Sequence, residues 1–213
     1  MRRDAIIPRN QIRLAARLVT PSGRGPFPCV VFVHGLGSDK DSPRNVVVAE
    51  RLVDHGVAAL LFDLSGHGES SPDPRGSAAM PDDVVAAFTW AARQPEIERT
   101  RIGISGSSLG GVVALDAMAS GRIAPAVLVL RAPPVAASEL RGIHVPTLLV
   151  VGSLDPLLRG IRGAVEGTGA IRLEIVSGAS HLFEEPGVLE RAVALTVDWF
   201  VRNIGVREPS AAL

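Results

Sequence analysis

The fold of this chain is decided by the stretch Ile102-Gly103-Ile104-Ser105-Gly106-Ser107-Ser108-Leu109-Gly110-Gly111-Val112-Val113. It begins as a short apolar strand, passes through a turn of small residues and continues as a helix. The turn has the form G-x-S-x-G, which places one serine, Ser108, at the tip of a sheet. Gly106 and Gly110 leave the room that such a crowded turn needs, because glycine has no side chain. The helix begins directly behind Ser108, so its free N–H groups face any negative charge that develops there.

Buried strands and helices alternate along the rest of the chain. Apolar runs predict strands at 28–33, 57–62, 101–105, 126–130, 146–151 and 171–176, and helical patterns predict helices at 43–55, 81–93, 109–120 and 186–204, with a weaker one inside 157–165. Residues 12–19 alternate loosely and are predicted to form an edge strand or hairpin. This alternation predicts an α/β fold with a mostly parallel central sheet and helices on both faces. We expect residues 1–213 to form a single domain.

Polar residues follow three of the buried strands. In a parallel sheet of this kind the functional site lies at the carboxyl ends of the strands. Ser108, Asp155 and His181 each stand at such an end, in the chain order Ser, Asp, His. This is the order expected of an α/β-hydrolase triad. The joint pattern is far more specific than the turn around Ser108 alone.

Five motifs of this chain resemble those of the α/β-hydrolases of the small, capless, dienelactone-hydrolase-like kind. They are His34-Gly35-Leu36-Gly37, Asp63-Leu64-Ser65-Gly66-His67-Gly68-Glu69-Ser70, Gly106-Ser107-Ser108-Leu109-Gly110, Gly152-Ser153-Leu154-Asp155 and Gly178-Ala179-Ser180-His181. The stretch from His181 to Gly187 also resembles hydrolase domains that are fused to phosphoribosyltransferases. The resemblance implies an α/β-hydrolase fold with little or no lid, since only residues 132–145 link the strands where relatives insert one. Dienelactone hydrolase itself uses a cysteine nucleophile, so Ser108 favours ordinary ester chemistry.

The predicted roles follow from the chemistry of acyl transfer. A serine hydroxyl is a poor nucleophile until a base takes its proton, and His181 is the candidate base. Asp155 would hold the imidazole in the right tautomer and stabilise its charged form. The negative oxygen of the tetrahedral intermediate needs two donors in place. The motif assigns them to the backbone N–H groups of Leu36 and Leu109.

Each of these residues also has a plain structural interpretation. Ser108 could be an inert turn serine, and Asp155 could begin a turn or cap the next helix. Glu139 is the back-up acid on the preceding connection. Arg131 ends a strand on the site side, where it could bind a substrate carboxylate or pair with a neighbouring acid. His181 could be an ordinary loop histidine.

Other polar residues near the predicted site are assigned structural roles. His34 is expected to shape the oxyanion loop, and Asp63 and His67 to hold together the loop after their strand. Glu184 and Glu185 are interpreted as acids that precede a helix whose first turn contains Pro186. None of the five is predicted to be catalytic.

The composition excludes several classes of function. Acidic and basic residues balance at 22 each, which gives no electrostatic reason to expect a nucleic acid or a membrane as partner. The histidines are scattered, Cys29 is the single cysteine and the glycines form no GxGxxG fingerprint, so no metal and no cofactor is expected. Cys29 is predicted to be a buried hydrophobe, and Lys40, the single lysine, to reflect composition bias. The N-terminus lacks the apolar core of a signal peptide, which favours a cytoplasmic location, and residues 207–213 are expected to be frayed.

The sequence therefore predicts a serine hydrolase that acts on small or medium carboxylic esters through an acyl-enzyme, at an open and shallow site. Two alternatives stay open. The same triad serves peptidases, thioesterases, acyltransferases and cofactor-free perhydrolases. The fold also serves as a non-catalytic binding scaffold. The substrate and the oligomeric state are not determined by the sequence.

Overall fold

The computed structural model describes residues 1–205. This part of the chain contains eight strands and six α-helices. The strands are β1 (Arg2–Arg9), β2 (Ile12–Val19), β3 (Phe27–Val33), β4 (Ala58–Phe62), β5 (Ile97–Ser107), β6 (Leu128–Arg131), β7 (Thr147–Gly152) and β8 (Ile171–Val176). The helices are α1 (Pro43–Asp54), α2 (Met80–Ala92), α3 (Leu109–Ala119), α4 (Ala137–Leu140), α5 (Leu158–Val165) and α6 (Val188–Phe200). The tail expected to be frayed from residue 207 lies outside the described residues.

All eight strands belong to one sheet, in the order β1-β2-β4-β3-β5-β6-β7-β8. Strands β3 to β8 are parallel to one another. At one side of the sheet β2 runs antiparallel to β4, and β1 pairs antiparallel with β2. Helices α1 and α6 cover one face, whereas α2, α3 and α5 cover the other. The predicted α/β-hydrolase architecture is confirmed.

The strand β1 was not predicted from the sequence. Its side chains are mostly exposed, because it lies at the edge of the sheet, so it shows no buried apolar pattern. It pairs with β2 through a two-residue turn in which Asn10 has a φ of 53°, a conformation that asparagine tolerates better than most residues. Residues 12–19 therefore form the inner strand of a hairpin, and the edge of the sheet is β1.

Side chains that alternate along the central strands divide the core into two layers. In β3, Cys29, Val31 and Val33 pack on the side of α2 and α3, and Val30 and Phe32 pack on the side of α1 and α6. Cys29 is fully buried, as predicted, and burial raises the pKa of its thiol to about 12. Its thiol is therefore an inert part of the core.

Two segments differ from or refine the predicted boundaries. The helix predicted over 186–204 begins at Val188 and not at Pro186, because Gly187, with a φ of 76°, is its N-cap residue. It ends at Phe200, and a π-helical turn, Val201–Gly205, follows it.

The link between β6 and β7 contains only the four-residue helix α4, which agrees with the prediction of little or no lid. Within residues 1–205, no helix has the length and the apolar character that crossing a bilayer requires.

The strand order creates a crevice at the centre of the sheet. After β3 the chain continues to β4 on one side, and after β5 it continues to β6 on the other. The loops that follow β3 and β5 therefore diverge, and α/β sheets bind their ligands in the crevice that such divergence opens. The predicted oxyanion loop follows β3 and Ser108 follows β5, so both lie at this crevice.

A buried ion-pair network ties β1 to α2. Arg9 Nε donates to Asp83 Oδ1 at 2.5 Å, and Arg9 Nη2 donates to Asp73 Oδ2 at 2.8 Å. The other oxygen of Asp83 accepts from the N–H and the O–H of Ser65, at 2.9 and 2.7 Å. Asp83 is fully buried. Its charge is therefore balanced by Arg9 and by the two donors of Ser65 in place of water.

Replacing Arg9 with methionine is expected to lower the free energy of unfolding by about 3–5 kcal/mol at neutral pH, because the buried Asp83 carboxylate loses its cation. Burial already raises the pKa of the Asp83 carboxyl, and removal of Arg9 raises this pKa further. A carboxyl whose pKa is higher in the folded state is destabilising above that pKa, and the effect is relieved as pH falls through it. Urea unfolding should therefore show a smaller loss at mildly acidic pH than at neutral pH.

The matched control is Arg202→Met. Arg202 pairs with Asp198 on the surface, and 71% of its side chain is exposed. We expect a change within about 0.5 kcal/mol. Equal losses in the two variants would contradict a special role for the buried pair.

Candidate active site

The turn around Ser108 has the conformation that its sequence predicts. Ser108 has φ 49° and ψ −121°, a backbone conformation rare for a residue with a side chain. Its N–H donates to Arg131 O at 2.8 Å, which ties the turn to β6. A Cβ added at Gly106 would lie 2.7 Å from Gly111 Cα, and one added at Gly110 would lie 2.3 Å from Val33 O. Both glycines are therefore required by close packing, as the motif predicts.

The three residues predicted as a triad lie in hydrogen-bond contact. Ser108 Oγ is 3.0 Å from His181 Nε2, and His181 Nδ1 is 2.9 Å from Asp155 Oδ2. Because a carboxylate accepts, the hydrogen of the neutral ring lies on Nδ1, and Nε2 is left to accept from the Ser108 hydroxyl. This arrangement is able to remove a proton from Ser108 Oγ as it attacks an electrophile.

The two alternatives for the acid are distinguished by the geometry. Asp155 is buried and uses one oxygen for His181, while its other oxygen accepts from Leu157 N–H at 2.9 Å. It therefore both contacts the imidazole and forms the local turn. Glu139 accepts from Ala136 N–H at 2.7 Å, at the start of α4. Asp155, and not the back-up Glu139, is the acid that contacts His181.

The loop after β3 passes directly over Ser108. A Cβ added at Gly35 would lie 3.2 Å from Ser107 O and 3.5 Å from Ser108 Cβ, so a side chain there would push the loop a few tenths of an ångström away from the turn. His34 holds the loop in place: its Nε2 accepts from Leu64 N–H at 3.0 Å, and its Nδ1 donates to Gly35 O at 2.8 Å. Burial lowers the pKa of the His34 ring, which favours the neutral form that these bonds need. The predicted shaping role of His34 matches this geometry.

Asp63 organises the glycine-rich loop after β4. Its carboxylate accepts from the N–H of Lys40 at 2.6 Å, from Lys40 Nζ at 3.1 Å and from Glu69 N–H at 2.9 Å. A Cβ added at Gly68 would lie 2.3 Å from Asp63 Oδ2, so the loop folds tightly around the carboxylate. His67 contributes through Nδ1, which is 3.2 Å from Ser65 O. Lys40, interpreted from the sequence as composition bias, is a buried partner of Asp63.

Glu185 fixes the loop that carries His181. Both of its carboxylate oxygens accept from Ser180 N–H, each at 3.0 Å. Hydrogen bonding from the side chain and the backbone of Ser180 lowers the pKa of the Glu185 carboxyl and keeps it charged. Glu184 lies instead beside Arg44, at 3.4 Å. The sequence interpretation of both as acids that merely precede a helix is therefore incomplete for Glu185, which holds the residue next to His181.

A cavity of about 230 Å³ opens beside Ser108. Its lining includes predicted residues and others that the sequence analysis did not single out: Gly35, Leu36, Ser38, Ser42, Arg44, Asn45, Ser107, Ser108, Arg131, His181, Leu182 and Phe183. No lining residue comes from the β6–β7 link, so α4 does not cover the cavity. Arg44 and Asn45 were missed because they read as ordinary polar residues in the first turn of α1. The burial of Asn45 is visible only in the structure.

Gly152 allows the loop that carries Asp155 to pack against the loop that carries His181. It ends β7, three residues before Asp155, and it packs against the backbone just before His181. A Cβ added there would lie 2.2 Å from Ala179 O and 2.7 Å from Ser180 O. Because these atoms belong to the backbone, they can make room only if the two loops move apart.

The variant Gly152→Ala is expected to lose about 1–3 kcal/mol of stability from overpacking. The kcat/KM of the ester hydrolysis predicted from the sequence should fall by about 100-fold, because a shift near 1 Å between Asp155 and His181 spoils their alignment. Gly160→Ala is the control, since a Cβ at Gly160 in α5 meets nothing within 4 Å. Thermal unfolding and steady-state kinetics of both variants test this, and equal activity in the two would contradict it.

The described residues offer no obvious metal site. Among residues 1–205, no group of three or more His, Cys, Asp or Glu side chains is placed to hold a metal ion. The histidines nearest the nucleophile are already engaged, His34 with Leu64 and Gly35, and His181 with Asp155 and Ser108.

Known proteins resemble this chain in sequence and structure. Residues 25–145 match the family model described as serine aminopeptidase, S33. A Mycobacterium tuberculosis protein named "Putative phosphoribosyl transferase Rv0571c" is 35% identical over 210 residues, covering 93% of this chain and 46% of that protein. The "Uncharacterized protein Rv2307c" of the same organism is 33% identical over 201 residues, covering 92% of this chain and 68% of that protein. The crystal structure of dienelactone hydrolase from Anabaena variabilis has a TM-score of 0.81 at 32% identity, covering 95% of this chain and 98% of that one.

The extent of these matches differs. This chain spans about half the length of the protein named as a transferase, 46% of it, so that name describes a longer molecule. It spans nearly the whole length of the dienelactone hydrolase structure, 98%. The fold of this chain therefore matches that structure over almost the whole length of both chains.

Proposed function

Because the chain belongs to the α/β-hydrolase family, in its dienelactone-hydrolase-like group, we propose that it is a serine hydrolase that cleaves small or medium carboxylic esters through an acyl-enzyme. The observation that carries this proposal is the line of hydrogen bonds from Ser108 Oγ through His181 to the Asp155 carboxylate. A packing turn with an inert serine has no need of a buried acid and a base aligned in this way.

In the proposed mechanism, Ser108 Oγ attacks the carbonyl carbon of the ester while His181 Nε2 takes its proton. Asp155 stabilises the imidazolium that forms and keeps Nδ1 protonated. His181 then gives the proton to the leaving alkoxide as the bond between the carbonyl carbon and that oxygen breaks. A water molecule, deprotonated by His181, then attacks the acyl carbon. His181 returns this proton to Ser108 Oγ as the bond between the acyl carbon and Oγ breaks and the acid leaves.

The proposed oxyanion hole consists of the backbone N–H groups of Leu36 and Leu109. Leu109 is the first residue of α3, so its N–H has no acceptor inside the helix. The N–H of Leu36 donates to no backbone or side-chain acceptor within residues 1–205. The Leu36 side chain is exposed, so its identity matters less than the position of its backbone. Two donors of this kind stabilise the tetrahedral oxygen because they are already oriented before the reaction.

The size of the cavity leads to a prediction about acyl chains. Each methylene that the cavity buries is worth about 0.8 kcal/mol, or about fourfold in kcat/KM. We expect kcat/KM for p-nitrophenyl esters to rise from acetate to butyrate and to level off or fall by palmitate, because about 230 Å³ holds only a short chain. The Ser108→Ala protein supplies the background rate. A rate that climbs steadily to palmitate would contradict the proposed substrate size.

An aminopeptidase is the second candidate, since the matching family model is described by that activity. Such an enzyme needs negative charge to hold the ammonium group of a peptide. The residues that line the cavity include the cations Arg44 and Arg131 and, within the described part of the chain, no Asp or Glu. This charge favours the ester proposal. Alanine p-nitroanilide, compared with p-nitrophenyl butyrate under the same conditions, tests it: faster cleavage of the anilide would favour the aminopeptidase.

A further inference from the structure

A buried guanidinium lies beside the proposed nucleophile without a carboxylate partner. Arg131 ends β6, is 4% exposed and lines the cavity at Ser108. Its Nη2 donates to Asn45 Oδ1 and, at 2.6 Å, to Ser107 Oγ, and its Nη1 donates to Arg44 O at 3.3 Å. All of these acceptors are neutral. Its Nε is buried and has no partner within residues 1–205.

This environment is unfavourable for a cation. A buried charge ordinarily needs a partner of opposite charge, and the cost of leaving it unpaired is several kcal/mol. Burial lowers the pKa of Arg131 to about 10, and the positive charge of the neighbouring Arg44 adds to this effect. A guanidinium has five N–H donors, of which three are used here. Two N–H donors and the positive charge of Arg131 therefore have no acceptor and no anion among the described residues.

Arg44 adds a second positive charge to the side of the cavity that Arg131 lines. It lines the cavity and is about one-third exposed. Its acidic neighbour Glu184 lies 3.4 Å away with two-thirds of its side chain exposed, so the contact is open to water and weak. Counting Arg44, Arg131 and Glu184, this side of the cavity carries one uncompensated positive charge. The Asp155 carboxylate, which also lies near, is already engaged by His181 and Leu157.

We propose that Arg131 and Arg44 bind a carboxylate of the substrate, so that the preferred substrate is a small ester that carries one carboxylate in addition to the ester group. This inference rests on the proposed hydrolase function. One carboxylate neutralises the single uncompensated charge, and its planar oxygens match the fork of a guanidinium. The small cavity places this carboxylate within a few bonds of the ester carbonyl at Ser108.

Matched pairs of esters test the proposal. Monomethyl succinate and methyl isocaproate have the same shape, with a carboxylate in the first where the second has an isopropyl group. Acetoxyacetate and isobutyl acetate form the corresponding pair with the carboxylate on the alcohol side. We expect the wild-type protein to prefer the anionic member of at least one pair by about 10- to 100-fold in kcat/KM, the range expected for hydrogen bonds to a charged group.

The preference is measured as the ratio of kcat/KM for the anionic ester to kcat/KM for the neutral ester of the pair. The variants Arg131→Met and Arg44→Met should both lower this ratio, and Arg131→Met should lower it to near one. A purely structural role of Arg131 would lower both rates of a pair together and leave their ratio unchanged. Arg44 is more exposed than Arg131, so its variant keeps the test available if Arg131→Met does not fold. Arg202→Met, at an exposed residue of the π-helical turn Val201–Gly205, is the control and should leave the ratio unchanged.

A binding measurement separates this inference from the proposed function. In calorimetry, the Ser108→Ala protein should bind monomethyl succinate or acetoxyacetate more tightly than the neutral ester of the same pair. Adding Arg131→Met to the Ser108→Ala protein should remove this difference in affinity. If wild type cleaves both members of each pair at similar rates, the carboxylate inference is overturned and the hydrolase function stands. If no ester is cleaved, the hydrolase function fails, and calorimetry alone decides the carboxylate site. Equal binding of anionic and neutral esters would overturn it.

Discussion

Replacing Ser108 with alanine is expected to abolish covalent labelling by a fluorophosphonate probe and to lower ester hydrolysis by about 10⁴- to 10⁶-fold. The substitution removes the oxygen that lies 3.0 Å from His181 Nε2 and nothing else. Alanine keeps the Cβ, so the strained backbone at φ 49° is unchanged and the fold should be retained. The measurements are gel fluorescence after labelling and ester turnover, with circular dichroism as the check of folding.

The matched control is Ser22→Ala, which changes an exposed serine in the turn between β2 and β3. This variant should label and turn over esters as wild type does. Labelling that persists in Ser108→Ala would place the reactive serine elsewhere. A folded wild-type protein that does not label would favour the non-catalytic scaffold, because an assembled triad activates its serine toward such probes.

The sequence predicted the fold well where local patterns and burial agree. The runs that form β3 and β4 are apolar on both faces because helices cover both faces of the sheet. The turn at Ser108 was predictable because its crowding permits only glycine at Gly106 and Gly110. The strand β1 was not predictable, because it lies at the edge of the sheet and most of its side chains are exposed to water.

The sequence predicted which three residues meet at the candidate site, but it did not predict most of the residues that line the cavity beside them. Ser108, Asp155 and His181 are positioned by the ends of parallel strands, which a single topological rule brings together. Arg44 and Asn45 reach the same cavity from α1, and only the packing of α1 against the sheet determines that. For Arg131 the sequence left both a substrate carboxylate and a neighbouring acid open as partners. The absence of an acid among its partners within residues 1–205 is a fact of tertiary structure.

Asp155→Asn is expected to lower kcat by about 10⁴-fold while the protein remains folded. The reason lies in the two partners of this side chain. Leu157 N–H is a fixed donor, 2.9 Å from Asp155 Oδ1, so the amide of the variant must turn its oxygen toward Leu157. Its NH₂ group then faces His181 Nδ1, which the carboxylate Oδ2 contacts at 2.9 Å in the wild type.

This orientation reverses the hydrogen bonding of the histidine. Because an amide NH₂ donates, Nδ1 must accept, and the proton of the neutral ring moves to Nε2. Nε2 then donates to Ser108 Oγ and is unable to accept the proton of the hydroxyl. His181 therefore no longer acts as a base, although the positions of the side chains are unchanged. Asp198→Asn, at an exposed residue that pairs with Arg202, is the control and should be fully active. The tautomer can be read from the ¹⁵N chemical shifts of the His181 ring. An active Asp155→Asn protein with the proton still on Nδ1 would mean that another group holds the histidine.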